Sequence, residues 1–139
     1  MSTGGAVSTA DRWLIRLLWF HAGLSLLWIV LAWRDAIVEH ADLRFVVNTT
    51  GKDGLFAIMS VVAAVGDQRR RLGIVLLLLA AYACLMVGQV FELAFADPPK
   101  VMTWPADTEA TTYLLLWLGG DIVLVVAFGL LYRAVKRAR

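Results

Sequence analysis

Residues 13–33 read WLIRLLWFHAGLSLLWIVLAW, 21 residues whose polar interruptions are Arg16, His21 and Ser25. At 1.5 Å rise per residue a helix of this length reaches about 30 Å, the thickness of a bilayer's hydrocarbon core. Trp13 and Trp33 stand at its two ends, where amphipathic rings favour the headgroup region. The run is too long for the apolar core of a cleaved signal peptide, and Met1 to Ala10 carries no positive side chain. The stretch therefore predicts an uncleaved membrane helix, and it sets the terms for the rest of the chain.

Two further runs match it. Residues 72–95, LGIVLLLLAAYACLMVGQVFELAF, hold Tyr82, Gln89 and Glu92 as polar members and suffice to span with some tilt. Residues 113–132, YLLLWLGGDIVLVVAFGLLY, hold one charge, Asp121. Pro98, Pro99 and Pro105 separate these two runs, as expected where one helix stops and another starts. Between the first and third runs lies a shorter one, with Asp53 and Asp67 flanking thirteen residues. Thr50 and Asp53 have the spacing of a capping box. This predicts a short second helix over 50–66, with Lys52 snorkelling to an interface; the alternative is a buried or re-entrant segment.

Composition agrees. Of 139 residues, 60% are hydrophobic and 17% charged, whereas soluble domains have about 45–50% and about 25%. A soluble chain of this length has too little interior for so much apolar surface. The net charge of +2 gives no field for nucleic acid. The expected fold is an all-α integral membrane protein, one domain over 1–139. It is a bundle of four transmembrane helices near 13–33, 50–66, 72–95 and 112–132. Four spans with the N-terminus inside leave Arg12, Arg16, Arg69, Arg70, Arg71, Arg133, Lys136, Arg137 and Arg139 cytoplasmic, against Arg34, Arg44, Lys52 and Lys100 outside. Nine against four follows the positive-inside rule, so both termini are expected in the cytoplasm, in a plasma membrane of bacterial inner-membrane type. Residues 34–47 place Ile37, Val38, Ala41 and Phe45 at helical spacing. They predict an extension of helix 1 or an interfacial outer helix, with a lid over an outward site as the functional alternative. Asn48-Thr49-Thr50 matches a glycosylation sequon.

Ionisable groups inside spans cost about 2.5–3.5 kcal/mol at a helix centre on insertion scales, so each calls for a partner or a role. Asp121 follows Gly119-Gly120, and no Lys or Arg lies within a turn of it. Counted from the cytoplasmic ends, His21 and Asp121 differ in depth by about 4.5 Å, which makes a His21–Asp121 pair the expected juxtaposition. Such a pair relays a proton or holds a polar ligand; the plainer alternative is a packing hydrogen bond or a neutral Asp121. The glycines beside it would allow close approach by a backbone or ligand. Arg16, a turn inside helix 1, is expected to snorkel, its stem on Trp19 and Phe20. Ala80, Cys84, Gly88 and Glu92 repeat at spacing four, a seam of small residues ending in a carboxylate. Glu92 and Gln89 form the mouth of an outer cavity on the functional reading.

No HExxH, HxxxH or Cys/His cluster predicts a metal site, and no phosphate-binding or nucleophile-elbow motif appears. Cys84 is the single cysteine, so no intrachain disulfide forms. His21 and His40 fall at different depths, which disfavours an intrachain bis-His haem. No cofactor, catalytic residue or metal is expected. The leading expectation is a non-catalytic accessory or scaffolding subunit of a membrane complex. The first alternative is a small proton-coupled carrier, homo-oligomeric, using Asp121 with His21. The second is an anchor sharing a quinone or haem with another subunit. Expected partners are the lipid bilayer and other membrane subunits or further copies of itself.

Overall fold

A computed structural model describes residues 8–38, 43–95 and 110–138, without the side chains of 45, 92 and 110–114. Every described element is α-helical: α1 Thr9–Val38, α2 Leu43–Val65, α3 Gln68–Phe95 and α4 Ala110–Arg137. Each helix packs against its sequence neighbours and α1 closes the ring against α4. The bundle is therefore a ring of four antiparallel helices. Three of them, α1, α3 and the stretch Leu115–Arg137 of α4, are long and apolar enough to cross a membrane.

Local chemistry fixes the ends. The Ser8 hydroxyl accepts from the Asp11 backbone N–H at 3.1 Å and caps α1. The Asp67 carboxylate accepts from the Arg70 N–H at 2.8 Å and caps α3; such caps satisfy first-turn donors that have no partner within the helix. Between α2 and α3 stands Gly66, where an added Cβ would lie 2.9 Å from the Val62 carbonyl oxygen. Only a residue without a side chain fits that close approach.

The second helix departs from expectation. It is not short: α2 has 23 residues and begins at Leu43. Thr50 is no cap, because its hydroxyl donates to the Val46 carbonyl at 2.7 Å and accepts from the Trp33 indole N–H at 3.0 Å. A mid-helix threonine satisfied by the i−4 carbonyl does not stop a helix. The expected outer segment 34–47 divides accordingly. Residues 34–38 end α1 and 43–47 begin α2, while Ala41 and His40 lie outside the described residues, as does the side chain of Phe45. Asn48 of the sequon sits within α2.

Packing runs in tiers two helical turns apart. His21, Ser60, Tyr82 and Phe128 are buried together, one from each helix. Seven residues along each helix toward the other end of the bundle come Trp28, Asp53, Gln89 and Asp121, all lining one cavity. Seven residues the opposite way on α1, α3 and α4 come Leu14, Val75 and Val135, all fully buried; Ala63 and Ala64 of α2, one turn from Ser60, belong to the same core. A seven-residue repeat keeps side chains on one helix face, which is how facing helices interdigitate. The small buried residues Ala22, Ser25, Ala57 and Ser60 let α1 and α2 run close along most of their length.

The outside is the reverse of a soluble surface. Ile37, Val65, Val87 and Phe95 are each at least 70% exposed, and large apolar side chains from all four helices share that fate. Asp11, His21, Asp53 and Arg71 meanwhile are buried. Soluble monomers rarely expose apolar patches beyond a few hundred Å².

Candidate functional site

At the end formed by the start of α1 and the α2–α3 turn, Arg71 and Asp11 make a buried ion pair. The Arg71 Nη1 donates to both Asp11 carboxylate oxygens, at 2.6 and 2.7 Å, and both side chains are more than nine-tenths buried. The same guanidinium donates from Nε to the Ala63 carbonyl at 3.1 Å and from Nη2 to the Gly66 carbonyl at 2.8 Å. Arginine's planar fork suits this multiple donation. It also satisfies carbonyls that the last turn of α2 would otherwise leave without a helical donor. One side chain thus ties α1, α2 and α3 together. Sequence reasoning missed it, counting Arg71 only as one more charge in an Arg69-Arg70-Arg71 turn. The available signal was Asp11, an acid in the first turn of a helix otherwise flanked by arginines.

Above the apolar tier, His21 is held on both ring nitrogens. Its Nδ1 lies 2.7 Å from the Ser60 hydroxyl and its Nε2 2.5 Å from the Tyr82 hydroxyl. The rings of Phe56, Tyr82 and Phe128 surround it, with centroids 6.1, 5.7 and 5.5 Å away. A neutral imidazole offers one donor and one acceptor, and two hydroxyls can complement either tautomer. The expected His21–Asp121 hydrogen bond does not form, because Asp121 lies one tier above His21 and accepts from Gln89 Nε2 at 2.8 Å. The two residues do line the same space. Depth counted from helix ends failed because the ends are not level: α1 starts before residue 13 and α4 continues to Arg137. Side-chain interdigitation, not the ends, sets the offset.

That space is a partly open cavity of about 240 Å³ between all four helices. The His21 tier is its floor. Asp53 and Asp121 face it from α2 and α4, Gln89 from α3, and Trp28 and Trp117 wall it with their rings edge to face. Lys52 stands at its rim, with Nζ 3.7 Å from an Asp53 carboxylate oxygen and 5.8 Å from the centroid of the Trp117 ring. The Gln89 Oε1 is buried and has no hydrogen-bond partner.

Of the remaining candidates Gly120 lines this cavity, while Arg16, Ala80, Cys84, Gly88 and Gly119 do not. Arg16 is exposed and its guanidinium lies 4.8 Å over the Trp13 ring, so the stacking partner is Trp13, one turn toward the helix start, rather than Trp19 or Phe20. Ala80, Cys84 and Gly88 are exposed, so they form no seam within the chain. They face outward because Tyr82, Leu85 and Gln89 occupy the inner side of α3. A Cβ on Gly119 or Gly120 would meet nothing within 4 Å, and no neighbouring backbone uses the room they leave. The Glu92 side chain lies outside the described residues. Among the described residues no group of three His, Cys, Asp or Glu side chains could hold a metal ion. Comparison with models of protein families, with curated proteins and with solved structures yields no match to this chain.

Proposed function

We propose that this chain is an integral membrane protein of four spans, both termini in the cytoplasm, that holds a small polar molecule in the cavity between its helices. The observation that carries the first half is the inverted surface: apolar side chains outside, ionisable groups inside. In hydrocarbon, apolar residues have no reason to turn inward, and polar groups gather where they can pair. The charge distribution supports this orientation. Among the described residues, Arg12, Arg16, Arg69, Arg70, Arg71, Arg133, Lys136 and Arg137 belong to the end with the α2–α3 turn, and Arg34, Arg44 and Lys52 to the other. Basic residues gather on the cytoplasmic side. A bacterial inner membrane fits this arrangement.

The cavity supports the second half. It combines apolar walls with a few convergent polar groups, the ordinary make-up of a small-molecule site. A carrier or a ligand-sensing bundle would use it from the outer side, since the floor beneath it is closed by the His21 tier. An accessory subunit is the second reading, favoured by the exposed line of Ala80, Cys84 and Gly88, which leaves room for a helix of another chain. An anchor sharing haem through His21 is not favoured, because both of its ring nitrogens are already engaged.

Two measurements test this. Washing membranes with alkaline carbonate should leave the chain in the pellet, and its release would defeat the membrane reading. Mass spectrometry of the natively purified protein should then show a small molecule or lipid fragment bound to the lone chain or its homo-oligomer. Stoichiometric unrelated chains would favour the accessory reading instead.

A further inference from the structure

The geometry points to a specific ligand class for this cavity: a monovalent organic cation, an ammonium carrying apolar or aromatic substituents. The inference rests on the cavity being a ligand site, as proposed above. Of the carboxyl and ammonium groups lining it, two are carboxyls, Asp53 and Asp121, and one is an ammonium, Lys52, so acids outnumber bases by one. Asp53 from α2 and Asp121 from α4 line the same cavity, and two carboxylates sharing a low-dielectric space are eased by a cation between them. Gln89 turns its donor to Asp121 and leaves Oε1 buried without a donor, a further oxygen suited to an N–H or to the positive rim of an ammonium.

The chain itself places an ammonium at the rim of this site. Lys52 places its Nζ against the Asp53 carboxylate and over the Trp117 ring, the two contacts an organic cation would seek, at a distance where ring faces attract cations. Its side chain remains 40% exposed, so it stands at the rim as a tethered competitor that an incoming cation can displace into solvent. A metal ion is a poorer fit. Hard cations need six or more oxygen ligands, and here the walls are largely Trp28, Phe56, Trp117 and Leu124. The size agrees as well: about 240 Å³ exceeds the roughly 150 Å³ that accommodates a benzene ring.

The test is calorimetric titration of the full chain in mild detergent, at fixed ionic strength, with phenyltrimethylammonium. Benzamide and benzenesulfonate serve as neutral and anionic comparators. Saturable binding of the cation alone is expected, weakened about tenfold or more in Asp121→Asn and in Asp53→Asn. Lys52→Gln, at an exposed position, should tighten it several-fold by removing the tethered competitor. Weaker binding in Lys52→Gln overturns the inference, and so does a comparator binding as well as the cation; the second result leaves the ligand-site reading standing. If no probe binds a chain that melts cooperatively, both readings fall.

Discussion

The two ends of this bundle treat buried charge in opposite ways. At the α2–α3 turn, Arg71 has its donors matched by the Asp11 carboxylate and two backbone carbonyls. In the opposite half, Asp53 has a loose contact to Lys52, Asp121 has one amide donor, and the Gln89 oxygen has none. A buried charge that is fully paired holds helices together, and one that is incompletely paired invites a ligand. The difference separates the closed end from the end that holds the proposed ligand site, without reference to any motif.

The largest expected effect lies at the closed end. Arg71→Met strands Asp11 and releases two carbonyls, and should cost about 3–5 kcal/mol, as removal of one member of a buried pair does. Thermal unfolding in detergent measures it. Combining it with Asp11→Leu should recover most of the loss, and a silent Arg71→Met would break the contrast outright. Next comes the middle tier. Tyr82→Phe leaves one nitrogen of His21 without its hydroxyl partner and should cost about 1–3 kcal/mol in the same assay.

At the open end, Asp121→Asn should change stability by less than about 1 kcal/mol, since Gln89 can turn its amide to bond an asparagine, while cation binding weakens about tenfold or more. Stability loss as large as that of Arg71→Met would make Asp121 a packing residue and erase the comparison. Gly119→Ala meets no atom within 4 Å and should be neutral or stabilising by up to about 1 kcal/mol. A destabilised or dissociated complex there would instead reveal another helix packed on that face.

The smallest effect is at Asp67, a fully exposed cap. The Arg70 backbone N–H, with the nearby arginine charges, holds its carboxyl below the usual carboxylate range. A depressed folded value means the cap stabilises above the ordinary carboxylate range and fades as pH falls through the folded value. The melting temperature of Asp67→Ala should therefore sit slightly below that of the unmodified chain at neutral pH and converge with it in acid.

Much of this was legible beforehand. The runs at 13–33, 72–95 and 113–132 are inside α1, α3 and α4, because the length and apolarity of a helix are properties of the segment alone. The polar residues inside those runs marked His21, Gln89 and Asp121, and all three line the cavity. Asp53 and Lys52 were read only as the start of a short helix, because polar residues near an expected helix end look like solvated caps. Ser60 and Tyr82 carried no distinguishing signal, since a hydroxyl in an apolar run satisfies itself on its own helix as readily as on another.

The amino-acid sequence by itself determined the helical runs and the polar side chains they carry. Helical periodicity is local and repeats every few residues, so no partner is needed to read it. Only the tertiary structure decided that His21 meets Ser60 and Tyr82, that Asp121 meets Gln89, and that Asp11 meets Arg71. Sliding one helix by a single turn keeps its inward face and changes every partner on it. The register among helices is chosen by how side chains of all four interdigitate, and that choice is collective.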